Sequence, residues 1–356
     1  MTDTQAPAPT TAHRAPRFDA AALDRAFALL RHAGMPAVAA AVVTPAAVVR
    51  AEHHGVANAD TGERLTERHA FDLASLTKVL VTLPEVLALV EAGRVSLADP
   101  VNAHLPDAGW MQPSGSVGNA TVAHLLAHTS GLPAWTPLYT HPADRATLVA
   151  RVLQTPLEAE PGTRYAYSDL GFIVLSALVE RVTGRSLDEL ARERGFVTFG
   201  QRGEAVATER CPWRNRMLQG EVHDENAAAL GGVSGHAGAF GTLHDVTRAA
   251  QWWLTDAVSP AMHDVMLRPW SHEPGGNPRG LGWVLGHPGC SGGDLASTRA
   301  FGHTGFTGTS LWMEPDRGYA TVLLTNRVHP TRHTGDDIIH LRRRFANAVH
   351  AAWRGA

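Results

Sequence analysis

Ser75 and Lys78 stand three residues apart in Phe71-Asp72-Leu73-Ala74-Ser75-Leu76-Thr77-Lys78, at the head of an apolar run from Val79 to Ala92 that reads as a helix. On a helix, residues i and i+3 share a face, so Ser75 Oγ and Lys78 Nζ are expected to meet. A serine hydroxyl becomes a useful nucleophile only when a neighbour takes its proton, and a lysine does so only when neutral. Burial disfavours the ammonium form, so this reading requires a buried, neutral Lys78. The spacing alone is weak, because a helix-capping serine followed by a solvated lysine has it too.

Two further stretches add polar groups. Pro161-Gly162-Thr163-Arg164-Tyr165-Ala166-Tyr167-Ser168-Asp169 is a polar loop just before a helix, and His303-Thr304-Gly305 ends a predicted strand. In this order the three resemble the serine β-lactamase and penicillin-binding superfamily, whose signatures are S-x-x-K, Y-x-N and K-T-G. Ala127-His128-Thr129-Ser130-Gly131-Leu132, Tyr167-Ser168-Asp169-Leu170-Gly171, His236-Ala237-Gly238 and Gly302-His303-Thr304-Gly305-Phe306 extend the likeness to its class C-like branch. That branch holds family VIII esterases, D-aminopeptidases and DD-carboxypeptidases. The match covers about residues 20 to 350.

The resemblance implies roles. Ser75 would be the acylated nucleophile, Lys78 its neutral neighbour and Tyr167 the proton shuttle, with Tyr165 as the alternative shuttle. The backbone N–H groups of Ser75 and Phe306 would form an oxyanion hole, and Thr304 and Gly305 would line the strand edge that holds an extended acyl group. Trp135 is expected at the cleft mouth. His303 and Asp169 depart from the pattern. His303 replaces a lysine that helps bind the substrate carboxylate, and an imidazole is charged only near or below a pKa of about 6.5. Asp169 replaces an amide donor; an ionised carboxylate only accepts, and it repels a carboxylate. Both changes favour esters or amides with less anionic acyl groups over β-lactams, unless another basic residue such as Arg299 compensates.

The elements around these residues read as α+β. A capped helix is expected from Asp19 to His32, then a hairpin of Ala37–Val43 and Ala46–Ala51 about Thr44-Pro45. The middle reads as helical: Thr121–Ala127, Gly171–Thr183 closed by Gly184, Leu187–Arg194 capped by Ser186, and a helix opened by Thr242 and Asp245. Strands return at Leu281–Gly286, Thr298–His303, Thr309–Glu314 and Tyr319–Thr325. A last helix, Asp336 to Trp353, is expected to put Ile339, Phe345 and Val349 on one face. This predicts a disordered tail over 1–17 and an antiparallel sheet subdomain from 18–78 and 236–356, flanked by the N- and C-terminal helices. A helical subdomain, 79–235, would be inserted in it, with the site in the cleft between.

Composition excludes several classes. The 356 residues carry 31 basic and 34 acidic side chains, a formal charge of -3, which leaves no footprint for nucleic acid. Hydrophobic residues make up 44% and charged residues 18%, a globular balance, and no 18-residue apolar run offers a membrane span. Two cysteines, Cys211 and Cys290, make neither a disulfide framework nor a metal knuckle. No secretory leader is visible, which points to the cytoplasm, with another export route left open. No metal or cofactor is expected: His124 and His128 lack the glutamate of a zinc-binding H-E-x-x-H helix, and Gly231–Gly238 lacks the lysine of a phosphate loop. The loop His223-Asp224-Glu225-Asn226 is expected to approach the cleft, with His223 and Asn226 as its candidates for touching substrate, His236 to be a satisfied turn histidine, and Glu180-Arg181 to be a solvated pair. His13, His32, His53, His54, His329 and His333 are expected at the surface.

The expected partner is a small ester, amide or β-lactam, and a homo-oligomer stays open. The leading reading is a metal-independent serine hydrolase acting on ester or D-amino-acid peptide-like substrates. A true class C-like β-lactamase and a weakly catalytic penicillin-sensing protein are the alternatives.

Overall fold

In the strand Ala37–Val43 (β1), alternate side chains point to opposite faces, and every residue is buried. Ala37, Ala39, Ala41 and Val43 enter one hydrophobic core, while Val38, Ala40 and Val42 enter a second. A computed structural model describes residues 16–111, 115–200, 203–255, 258–272, 276–333 and 337–355, and in it β1 lies within a sheet covered on both faces. The proposed tail over 1–17 lies almost wholly outside the described residues.

The sheet has nine strands, β1, β2 (Val48–Asn58), β3 (Glu63–Arg64), β4 (Ser271–His272), β5 (Pro278–Arg279), β6 (Val284–Leu285), β7 (Phe301–Thr304), β8 (Ser310–Glu314) and β9 (Tyr319–Thr325). Their spatial order is β3-β2-β1-β9-β8-β7-β6-β5-β4, and all pairs are antiparallel. The sheet therefore closes its two chain ends against each other through β1 and β9, with Ala40 opposite Leu323. The second hairpin strand runs seven residues past the expected Ala51 because Arg50, Glu52, His53 and His54 hide it from an apolar search. Arg50 pairs with Glu52 and lays its guanidinium 4.9 Å from the Phe27 ring centre, so its stem packs while its charge is met.

Helix α1 (Ala20–Ala28) is capped by Asp19, whose Oδ1 accepts from Ala22 N at 2.7 Å, and continues as a 3-10 turn to His32. It covers the outer face of the sheet beside the C-terminal helix, Asp337–Ala352, where Phe27 meets Phe345 edge-to-face at 5.4 Å. In that last helix Phe345 and Val349 are buried as expected, together with Ile338 and Leu341, whereas Ile339 is exposed and its neighbour Ile338 takes the place on the apolar face. Asp336 lies outside the described residues.

The other face packs on helices. The apolar run after Ser75 is not one α-helix: a π-helical turn, Lys78–Thr82, precedes α2 (Leu83–Glu91). Pro84 lacks the N–H that an α-helical bond would use there, and the wider turn absorbs the defect. Further on come α3 (Val122–Leu126), capped by Thr121, and α4 (Asp169–Thr183), capped by Ser168 and closed by Gly184 at φ 71°. Helix α5 (Leu243–Trp253) opens with the Thr242–Asp245 capping box and packs under β1 and β9. We number the C-terminal helix α6. One continuous core joins α2, α3, α4 and α5 to this face of the sheet, each fully buried Leu, Val or Phe contributing about 1.5–3 kcal/mol.

Candidate active site

Three short strands hold the chain just before Ser75. Phe71–Asp72 pairs with Ala239–Gly241, which also pairs with Thr198–Phe199. The turn that follows is tight: Lys78 N donates to Ser75 O at 3.1 Å and Thr77 N to Ala74 O at 3.0 Å. Ala74 sits at φ 45°, a region that costs a side-chain-bearing residue energy, immediately before the serine. The buried Asp72 carboxylate fixes it, accepting from Ala74 N at 2.8 Å and His223 N at 2.7 Å. Burial pushes the Asp72 carboxyl up from its ordinary range, against the pull of those two donors.

Lys78 is fully buried, and its Nζ donates to Ser75 Oγ at 2.9 Å, Asp169 Oδ1 at 2.7 Å and His236 O at 3.2 Å. The serine and lysine meet as expected, but the contact with Asp169 favours the ammonium form over the expected neutral amine. Burial alone would strip its proton; the Asp169 carboxylate, with Tyr167 beside it, outweighs burial and moves the pKa up. Asp169, at the first turn of α4, therefore directs an oxygen at Lys78. This corrects its expected standing as a bare anion facing substrate. Asp169, Asp224 and His236 bring three donor atoms within 4.8 Å of one another. The Lys78 ammonium already sits against this group, on Asp169 and the His236 carbonyl. His236 is a satisfied turn histidine, with Nδ1 at 2.8 Å from Ser234 Oγ and Nε2 at 3.0 Å from Asp224.

Tyr167 is placed by rings. His128 packs on it with ring centres 4.5 Å apart, Lys78 Nζ lies 4.9 Å from its centre, and Arg279 lies 5.4 Å from it. Tyr167 lines the cavity with Ser75 and Asp169, whereas Tyr165 does not. His128, at φ 58°, accepts from Ser168 N through Nδ1 at 3.0 Å and so ties the tyrosine loop to the turn after α3.

The far wall is the end of β7. Strand β6 pairs with Phe301 and Gly302 only, so among the described residues the edge of His303 and Thr304 on that side has no strand partner. His303 Nδ1 donates to Thr304 O at 2.9 Å, which leaves a bare lone pair on Nε2. Burial, then Arg279 and Lys78, hold its pKa well below 6.5, so the imidazole is neutral. Gly305 follows because nothing larger fits: a Cβ there would stand 2.1 Å from Thr309 Oγ1 and 2.6 Å from Leu73 O. Thr307 Oγ1 donates to Asp72 O at 2.7 Å and Thr309 Oγ1 to Leu73 O at 3.1 Å, which locks this turn to the serine turn. Among the described residues, the backbone N–H groups of Ser75 and Phe306 have no protein acceptor.

These parts line one cavity of about 610 Å³. Ser75, Tyr167, Asp169, His303, Thr304, Gly305, Phe306 and the 45%-exposed Trp135 all border it, and Lys78 lies directly behind Ser75. Arg299 does not; it pairs with Asp316 away from the cavity. Arg279, Arg327, Arg332 and Arg342 line it instead, and none of them was singled out from the sequence. Arg332 is held by Glu209 and Glu225, and the Phe306 ring rests against His223 and Arg327, with ring-centre distances of 5.8 and 4.6 Å. Short arginine-bearing stretches have no local pattern, so only the fold assembles them.

The remaining expectations divide. His223 borders the cavity, but Asn226 bonds Thr136 O and Tyr139 N and is structural. His124 caps α3 by accepting from Thr121 N, and α3 ends before His128, so the two do not share a helix face. His329 is buried, bonded to Ala59 N and Thr208 O, contrary to the expected exposure; His13 lies outside the described residues. Glu180 pairs with Arg145 rather than Arg181. No helix among the described residues is long and apolar enough to cross a membrane.

An antiparallel sheet with helices on both faces, and a serine backed by a buried lysine at its cleft, define an α+β serine hydrolase. The chain belongs to the Beta-lactamase family, whose family model matches residues 23–343. It is similar to the N-acetylmuramyl-L-alanine amidase of Bacillus subtilis (strain 168), with 28% identity covering 83% of this chain and 78% of that one. A putative D-alanyl-D-alanine carboxypeptidase of Salmonella agona (strain SL483) is 29% identical over 83% of this chain and 80% of its own. Among solved structures, EstCE1, a hydrolase with promiscuous acyltransferase activity, superposes with a TM-score of 0.75 over 93% of this chain and 99% of its own. At 18% identity that is a likeness of fold.

Proposed function

We propose that this protein hydrolyses an ester or amide of the D-amino-acid peptide kind through an acyl-enzyme on Ser75. The observation that carries the reading is Lys78 Nζ bonded at once to Ser75 Oγ and to Asp169, at 2.9 and 2.7 Å, beside Tyr167 in the cavity. Because Lys78 is an ammonium, it does not take the serine proton. It donates to Oγ and stabilises the charge that grows there. The proton leaves Ser75 Oγ through the Tyr167 hydroxyl, which passes its own to the departing oxygen or nitrogen. The Ser75 Oγ–carbonyl bond forms as the bond to the leaving group breaks. Water, entering by the same route in reverse, then releases the acid. The N–H groups of Ser75 and Phe306 receive the carbonyl oxygen; one such donor is worth about 3 kcal/mol of transition-state stabilisation.

The relatives named for amidase and carboxypeptidase activity support an amide substrate. Arg279 and Arg327 on the cavity wall favour one bearing a carboxylate, which also keeps a β-lactam in play as a second reading. Initial rates on p-nitrophenyl butyrate, an N-acyl-D-alanyl-D-alanine peptide and nitrocefin, with Ser75→Ala as blank, separate these. Ester or peptide turnover well above nitrocefin supports the proposal, and dominant nitrocefin turnover replaces it with a β-lactamase. Activity retained above a few per cent in Ser75→Ala removes the nucleophile assignment.

A further inference from the structure

Arg342, from the C-terminal helix, is buried at 8% exposure, and among the described residues no carboxylate pairs with it. Its Nη2 donates instead to two backbone carbonyls, Gly305 O and Thr309 O, each at 2.8 Å. Gly305 C=O and Phe306 N–H belong to one peptide unit, and that N–H is the second donor of the proposed oxyanion hole. A cation bonded to the carbonyl end of a peptide draws electron density from it and makes its N–H a stronger donor, as hydrogen bonds in a chain polarise one another. Gly305 N in turn donates to Thr309 O at 2.8 Å, so the same guanidinium closes the turn that aims the Phe306 N–H.

We propose that Arg342 is a positioning residue of the oxyanion hole, polarising and orienting the Gly305–Phe306 peptide from behind. This rests on the acyl-enzyme reading. A buried guanidinium is costly to keep where, as among the described residues here, no carboxylate pairs with it, and burial followed by Arg327 lowers its pKa to about 9. The developing oxyanion brings negative charge to within a single peptide unit of it, so the interaction strengthens in the transition state and not in the bound substrate.

The test uses Arg342→Met and Arg342→Lys in the full chain, with rates divided by the fraction of Ser75 titrated by a fluorophosphonate. A phenylboronic acid, whose serine adduct places an oxygen in the hole, provides the second readout. The expected result is kcat lowered about 10- to 100-fold in Arg342→Met with KM little changed, boronate affinity falling in parallel, and partial recovery in Arg342→Lys. If Arg342→Met does not fold, Arg342→Lys decides alone, with a smaller loss of both quantities expected. Unchanged kcat per titrated site and unchanged boronate affinity, whatever the melting temperature, would overturn the role of Arg342. Failure of the fluorophosphonate to label Ser75 in the unmodified protein would instead overturn the hydrolase reading beneath it.

Discussion

Lys78 shows how little of a residue's chemistry its local sequence contains. Its spacing from Ser75 is visible in four letters, but its charge is decided by Asp169, 91 positions away in the chain. In the proposed mechanism Tyr167 carries the proton, and Tyr167→Phe is expected to lower kcat roughly 10²- to 10⁴-fold, the range of a lost acid–base group. A rate within twofold of the parent would move the relay elsewhere. His303 gives a prediction about stability. The folded state keeps its imidazole unprotonated, whereas the unfolded chain protonates it near pH 6.5. Its contribution to stability is therefore complete above that pH and is lost as the pH falls below it, by up to about 1.4 kcal/mol per pH unit. His128, also buried and held well below 6.5 by burial, Arg279 and Lys78, adds to the same slope. Urea unfolding between pH 7 and 5 should show His303→Gln less acid-sensitive than the parent, and equal slopes would contradict the neutral assignment.

At the scale of elements, the serine turn and the end of β7 act as one unit, joined by Thr307, Thr309 and the bare Gly305. Gly305→Ala should push these two apart, costing about 1–3 kcal/mol of stability and most of the activity. A melting temperature and kcat equal to the parent's would show that the turn relaxes freely. Capped helices were the most legible elements. Gly184 closes α4, Ser186 caps the helix after it, and the Thr242–Asp245 box opens α5, because caps are local hydrogen-bond chemistry written in adjacent residues; Ser168, the cap of α4 two residues before the expected start at Gly171, was not among them. Strand β2 was legible only to Ala51, since its charged residues are met by Asp24 on α1, by Arg31 just after it and by one another. The π-helical turn at Lys78 was not legible, although Pro84 is its local cause. The arginine lining was illegible for the same reason as β2: Arg279 and Arg342 acquire meaning only when β5 and the C-terminal helix reach the cavity.

For the whole molecule, the antiparallel sheet joins both chain ends, and the cavity that Ser75 borders lies where the helices meet the open edge of β7. Family membership was visible from motifs between Phe71 and Phe306, and the family match over 23–343 agrees with the likeness expected over about residues 20 to 350. The choice of substrate was read as favouring less anionic groups because His303 and Asp169 replace a cation and an amide. The assembled cavity shifts that balance, since Asp169 is paired with Lys78 and Arg279 and Arg327 border the space. The central claim is a covalent acyl group on Ser75. The most direct measurement is intact-protein and peptide mass spectrometry after acid quenching during turnover of a slow ester. The account predicts one acyl mass on the peptide containing Ser75, formed faster than kcat and lost at a rate that matches it, and absent in Ser75→Ala. Full turnover with no adduct at any quench time, or an adduct on another residue, would contradict it.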